Sequence, residues 1–499
     1  MFMNIDENET APLGVEEISN TDISLEDDNN KRTGMLDANP VASPVLVEKL
    51  LNIALKFHRA GKLKKAENAY RDVLRSDPET SIAWINLGIL NRAIDRYEPA
   101  VVCLRRGLSI DKQNANAWSS LGNALRALNR LEEAKRAQER GLSISPEISL
   151  IHYNYALVLR DLGMLDSALH AFARAEALGY NKPELLWDRS LTYLTNNNFK
   201  QGFAEYESRW KLESNPAQYI ETPEWDGRDI TNETLLVYAE QGQGDSLQFI
   251  RFLPLLAQKA KKVIFEVQPS IASLLQGDPL YKDITIHARG KDTPPPVTDV
   301  KMALLSAPLC LGIEDDLFSI TTPYLRAPHD GLRIRKTKGN ALRVGLTWTG
   351  KPSHKNDRNR SIDLSKLSPL LDISGIEFVS FQLGASQKQI AKQGMAPVIR
   401  DLSTHLDDFS VTASLLQDVD LLICVDTSIA HLAGAMGVPT WLLLPFTPDW
   451  RWQSGRADTP WYPNMTLFRQ TSPGDWTELF HRVREALKKK RLQQSLTDS

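Results

Sequence analysis

At 499 residues the chain is too long for one hydrophobic core, so roughly two to four domains are expected. Charged residues make up 24% and hydrophobic residues 42%, and the formal net charge is −3, a balance that fits a globular protein and excludes an extended nucleic-acid-binding face. Cys103, Cys310 and Cys424 lie too far apart for metal-ligand spacing, no apolar run approaches a membrane span, and the acidic N-terminus lacks the basic start of a signal peptide; a cytoplasmic protein is expected.

Residues 1–43 are rich in Asp, Glu and Asn, carry no Lys or Arg before Lys31 and show no helical or strand period, so they read as a disordered acidic tail. A repeat follows. Ala66, Ala100, Ala134 and Ala168 recur every 34 residues, with Gly202 next in line. Trp84 and Trp118 are one period apart, Leu87–Gly88 matches Leu121–Gly122, and Tyr70, Leu104, Phe172 and Tyr206 fill one large position. Small residues where paired helices touch and large ones between them make the tetratricopeptide pattern, five units over 47–216. Such a stack offers a groove for an acceptor protein or extended peptide, and Asn86, Asn123 and Asn154 are candidates to hydrogen-bond a peptide backbone there.

Residues 217–231 form a connector, flanked by Trp210 and Pro216 and holding Pro223 and Trp225, which reads as packed down rather than swinging. An α/β pattern begins with the β-like run Thr234–Ala239, then a Gly-rich turn from Glu240 to Asp245 and a helix-like stretch from Ser246 to about Lys262 that Pro254 should kink. Asp245, directly after Gly244 at a strand's C-terminal end, is either a helix cap or a carboxylate facing a ligand crevice, with Glu240 the next candidate base. A second half restarts at the strand Arg343–Thr347, followed by a polar loop whose cations Lys351, Lys355, Arg358 and Arg360 can neutralise a diphosphate. Its centre is Leu421–Leu444. The apolar run Leu421–Val425 reads as a strand buried on both faces, Asp426, Thr427 and Ser428 as caps of a small-residue helix ended by Gly437, and Thr440–Leu444 as another strand. That turn gathers backbone N–H groups, two hydroxyls and His431 where a phosphate can sit.

Gly244–Asp245 and the Asp426-Thr427-Ser428…His431-Leu432-Ala433 turn resemble the matching turns of bacterial heptosyltransferase-like glycosyltransferases of the GT-B fold. The whole chain is similar to bacterial tetratricopeptide-repeat protein glycosyltransferases, flagellin-modifying enzymes among them. The resemblance implies an all-α repeat superhelix followed by two Rossmann-like halves, 232–335 and 340–499, with a cleft between them and a closing C-terminal helix from Trp476. It also implies that Asp245 is the general base, and that Gly244, Lys351, Lys355, Arg360, Asp426, Thr427, Ser428 and His431 hold the phosphates of a nucleotide-sugar donor. Metal-independent transfer is expected, the helix end and the cations taking the place of a divalent ion, with the sugar nucleotide as co-substrate and no cofactor needed. A transferase for saccharide or lipid-linked glycans, or a non-enzymatic scaffold with a degenerate sugar-binding domain, are the alternatives to protein glycosylation.

Overall fold

The structure, a computed structural model, describes residues 43–212, 221–240, 242–290, 296–313, 316–335, 341–354 and 356–497. Lys355, Pro216 and nearly all of the acidic N-terminal stretch lie outside these residues. The chain divides into two compact units, 3–181 and 182–499.

Among the described residues the first unit contains four helix pairs: α1 (Pro44–Arg59) with α2 (Leu63–Ser76), α3 (Ser81–Ala93) with α4 (Tyr97–Ile110), α5 (Ala115–Ala127) with α6 (Leu131–Ile144), and α7 (Ser149–Asp161) with α8 (Leu165–Ala177). Close helix contact explains the small residues of the repeat. A Cβ on Gly88 would lie 2.6 Å from Leu104, and the four period-matched alanines are fully buried. The turn inside each pair passes through one left-handed residue at the same repeat position, filled by Gly61, Asp95, Asn129 and Gly163, residue types that accept positive φ.

A fifth pair, α9 (Pro183–Thr195) and α10 (Phe199–Tyr206), falls in the second unit. Trp187, Leu191, Leu194, Phe203 and Tyr206 share one hydrophobic core with the α/β sheets, so the five repeats expected over 47–216 are divided after residue 181. The connector's Trp225 is packed down: it is buried, its backbone N–H donates to Lys301 O and its indole N–H to Arg228 O, both at 2.8 Å.

The rest of the second unit is built on two parallel sheets. The first has β1 (Ile230–Tyr238), β2 (Ala260–Val267), β3 (Ile284–Ala288) and β4 (Val300–Ala303) in the order β3-β2-β1-β4. The second has β5 (Leu342–Thr347), β6 (Ile376–Ser380), β7 (Ile399–Asp401), β8 (Leu421–Val425), β9 (Thr440–Leu444) and β10 (Met465–Arg469) in the order β10-β9-β8-β5-β6-β7. Along β8, Leu422 and Cys424 enter one core while Leu421, Ile423 and Val425 enter the other, as a strand covered on both faces requires.

The helix expected from Ser246 to Lys262 is shorter and broken. After β1, α11 covers Gln243–Phe249, a 3₁₀ turn takes Ile250–Phe252, a short helix Leu253–Ala257 starts with Pro254 in its first turn, and β2 already begins at Ala260. Pro254 lacks an N–H to donate, so it starts a helix here rather than bending one. After β8 comes α12 (Ser428–Met436), which Gly437 ends in the left-handed conformation. The final helix, α13 (Trp476–Thr497), packs Leu479, Phe480, Val483 and Leu487 into the core of the second sheet.

Candidate functional site

In each sheet the strand order reverses beside the first strand, between β1 and β4 in one and between β5 and β8 in the other. Loops at the carboxyl ends of strands flanking such a reversal are where open α/β sheets bind ligands. Gly244–Asp245 follows β1, the 351–360 loop follows β5, and Thr427–Ser428 follows β8. A fourth loop, after β9, adds Asp449, Arg451 and Trp452.

Helices α11 and α12 meet at their first turns. A Cβ on Gly244 would stand 2.9 Å from His431 Cδ2 and 3.6 Å from Ser428 Cα, so the Gly-Asp turn and the Thr-Ser-x-x-His turn touch. Asp245 is not the cap of α11; Gly242 is, and it supplies no side-chain cap bond. The Asp245 carboxylate instead accepts a 2.6 Å hydrogen bond from Arg451 Nη2, a partner 206 residues away. Arg451, only 6% exposed, also donates from Nη1 to Asp449 (2.9 Å) and from Nε to Gln248 (2.6 Å). Burial raises the Asp245 pKa above the usual carboxylate range, and the Arg451 charge pulls it partly back. The Asp245 side chain keeps about a third of its surface exposed (34%), enough for a reacting group to approach.

The fifth helix pair lies behind this arginine. Phe203 meets Trp450 edge to face at 6.0 Å and Phe249 at 6.4 Å, while Tyr206 lies close enough to Arg451 and Asp245 to feel both charges.

At the start of α12, Thr427 is the N-cap residue, but its hydroxyl donates to Val425 O (3.3 Å) and caps nothing. The first-turn N–H groups of α12 therefore have no side-chain cap, and Ser428 stands half-buried beside them. Asp426 accepts from Arg360 Nη1 through its backbone oxygen (2.9 Å). Its carboxyl is pushed up to about 6, by burial first and then by Asp449, with Arg360 opposing. Asp449 is held below the ordinary range although burial acts upward, because Arg451 lies against it.

His431 occupies a different position from the phosphate contact expected of it. It is buried, Nδ1 lies 3.0 Å from the Tyr462 hydroxyl, and its ring stacks on Trp452 with centroids 5.2 Å apart. Burial, reinforced by Arg451, lowers its pKa to about 3, so it is neutral at physiological pH and acts as a wall behind Gly244. Of the basic loop, Arg360 reaches the site, packed on Gly350 and paired with Asp357 (3.5 Å) as well as with Asp426; Lys351 is exposed, and Lys355 lies outside the described residues. Glu240 is committed elsewhere: both its oxygens accept from Arg209 at 3.0 Å in a buried pair.

Asn86, Asn123 and Asn154 do not line an open groove. They are 0, 5 and 2% exposed. Asn123 Oδ1 accepts from Gln138 Nε2 (3.0 Å) and Asn154 Nδ2 donates to Ser119 Oγ (3.1 Å), so these amides form polar contacts inside the stack. Among the described residues no group of three or more His, Cys, Asp or Glu is placed to hold a metal ion, and no helix is long and apolar enough to cross a membrane. Arg451, Asp449, Trp452 and Tyr462 escaped the sequence reading. The signal was the mixed aromatic and charged run Asp449-Trp-Arg-Trp452, directly after a buried strand.

Two tetratricopeptide-repeat family models match residues 51–101 and 115–148. The chain is 26% identical over 328 residues to the protein FlbA of Caulobacter vibrioides, a match that takes in 60% of this chain. It spans about half the length of that relative (54%). Among solved structures, MamA is similar at 21% identity over 31% of this chain and 91% of its own, with a TM-score of 0.29. YrrB, described as a tetratricopeptide-repeat protein with an unusual peptide-binding site, is similar at 19% identity over 33% of this chain and 85% of its own, again with a TM-score of 0.29. The chain thus carries tetratricopeptide repeats, which suggest protein–protein interaction, followed by a parallel-sheet α/β region.

Proposed function

We propose that residues 182–499 form a glycosyltransferase of GT-B type that moves a sugar from a nucleotide-sugar donor to a protein recruited by the repeats. The observation that carries this reading is the contact of the two first turns: Asp245, a partly exposed carboxylate with a raised pKa, stands beside the uncapped N-terminus of α12. Asp245 takes the proton of the acceptor hydroxyl as its oxygen bonds to the anomeric carbon. The bond from that carbon to the donor phosphate breaks, and its electron pair leaves with the diphosphate. The N–H groups of α12, the Ser428 hydroxyl and Arg360 stabilise the charge that develops on the leaving group, with no metal ion required. Arg451 opposes the effect of burial on Asp245 and fixes its direction.

Asp245→Asn tests the base. Size and hydrogen bonding to Arg451 are retained, but the proton acceptor is lost, so transfer to protein should fall about 10²–10⁴-fold with donor affinity unchanged. Retention of turnover by the folded variant makes Asp245 an ion-pair partner only and removes the proposed mechanism.

A further inference from the structure

Between the second helices of repeats two and three lies an open groove of about 520 Å³. Its walls are α4 and α6, and its floor comes from α5. Because it opens between second helices, it is distinct from a face lined by the first helices of successive pairs, where the buried asparagines were expected to act. Leu121 and Leu125 of α5, joined by Leu108 at the foot of the α4 wall, make the floor apolar. Arg105, Lys112, Arg136 and Arg140 stand around it, all exposed. Glu133 is the one acid among the lining residues, and it is already held by Arg130 (2.8 and 2.9 Å) and Arg105 (2.7 Å). Arg136 and Lys112 have no side-chain partner among the described residues, and Arg140 reaches only the Ser143 hydroxyl (3.4 Å). Four cations facing one committed carboxylate, on a chain whose overall charge is −3, make an excess of positive charge among the lining residues.

We propose that this groove docks an acidic protein segment that places one large apolar side chain on the leucine floor between flanking Asp or Glu residues. Charge complementarity selects the acidic flanks, since Arg136 and Arg140 can each bind a carboxylate through two N–H groups. The leucines select an aliphatic or aromatic anchor, which loses water contact on entry. A nucleic acid fits less well. Trp118, half-buried, is the one ring in the lining, so the groove offers no series of aromatic platforms for successive bases. The inference rests on the repeats as protein-binding units and not on the sugar-transfer reading, so either can fail without the other.

The test is fluorescence anisotropy on the full chain with a labelled twelve-residue peptide in which one Trp is flanked on each side by alternating Asp, Glu and Gly. Binding should be saturable, weaken as salt rises, and fall about tenfold or more in Arg136→Glu/Arg140→Glu. Lys112→Glu, tested separately, should weaken it in the same direction. Arg59→Glu/Lys64→Glu, which adds the same charge on α1 and α2, should leave it within about twofold. A peptide with Trp replaced by Gly should bind about tenfold less well. Equal losses in the groove and the α1–α2 variants would reduce the effect to net charge and overturn the proposal. So would tighter binding of a single-stranded oligonucleotide of equal charge. If the peptide binds only after residues 1–42 are removed, the occupant is the chain's own acidic segment and the partner assignment falls.

Discussion

Gly244→Ala sets two physical effects of opposite sign against each other. Gly244 sits in the first turn of α11 and is not among the glycines with positive φ, so alanine can adopt its backbone conformation. Helix propensity alone predicts a gain of up to about 1 kcal/mol. Packing predicts the reverse, since the new methyl would lie 2.9 Å from His431 Cδ2, closer than carbon atoms approach. The ring cannot retreat: Trp452 stacks on it and Tyr462 holds Nδ1. Overpacking of this kind costs about 1–3 kcal/mol, so the net effect should be destabilising. Removing the ring should reverse the sign. His431→Ala alone costs about 2–4 kcal/mol through its cavity, but in that background Gly244→Ala has room and its propensity gain emerges. A double-mutant cycle by chemical denaturation, following the transition of residues 182–499, should give a coupling of about 1–2 kcal/mol. If Gly244→Ala stabilises both backgrounds equally, the two turns do not touch and the proposed site loses its geometric basis.

The division of the repeats predicts where the chain can be cut. Residues 182–499 should melt cooperatively, whereas 217–499 should aggregate or unfold, because each of Trp187, Leu191, Leu194, Phe203 and Tyr206 contributes about 1.5–3 kcal/mol by burial; cooperative melting of the shorter fragment would contradict the shared core. Arg209→Met leaves Glu240 buried without its partner and should cost about 3–5 kcal/mol by denaturation, most of it recovered in Arg209→Met/Glu240→Leu, where the one carboxylate left without Arg209, Glu207, is about a third exposed (32%) to water. Asp426, whose folded pKa of about 6 exceeds the unfolded value of about 3.9, binds its proton more tightly in the folded state, so its contribution to stability declines as pH rises from about 4 to 6 and is constant above that. Asp449, held low by Arg451 despite burial, acts below about pH 4 and in the opposite sense, so melting temperatures between pH 4 and 6 should lose part of their slope in Asp426→Asn.

The strands were legible because their burial is written in consecutive residues. Leu421–Val425 needs apolar side chains at every position to fill two cores, and no amphipathic alternative fits that run. The repeat was legible for a related reason: identical helix contacts impose identical small residues, seen in the fully buried alanines. The asparagines were misread because a 34-residue period places a residue on a helix without saying which neighbour its face meets. Only the packed stack shows Asn123 turned toward Gln138. The fifth pair keeps the repeat's spacing at Gly202 and Tyr206 and the left-handed turn at Asn197, while its neighbours in space come from sheets later in the chain, which a period cannot reveal.

What the sequence concealed at the site is its wiring. Gly-Asp and Thr-Ser-x-x-His each suggest a turn, but the group that orients Asp245 lies 206 residues away, in a loop with no familiar motif. The division of labour also differs from the one the motifs imply. A charged histidine would have been the natural phosphate ligand, yet burial between Trp452 and Tyr462 leaves His431 neutral and fills the space behind Gly244. Positive charge is supplied instead by two arginines with separate duties. Arg360, after β5, steadies the Asp426 backbone at the mouth of α12. Arg451, after β9, compensates Asp245 and Asp449 together. Neither can replace the other, because each is anchored to the end of its own strand. Asp245 is therefore held from outside its own sheet: its helix grows from the first sheet and its counter-ion from the second, so any ligand that shifts the β9 loop also shifts the group that orients the proposed base.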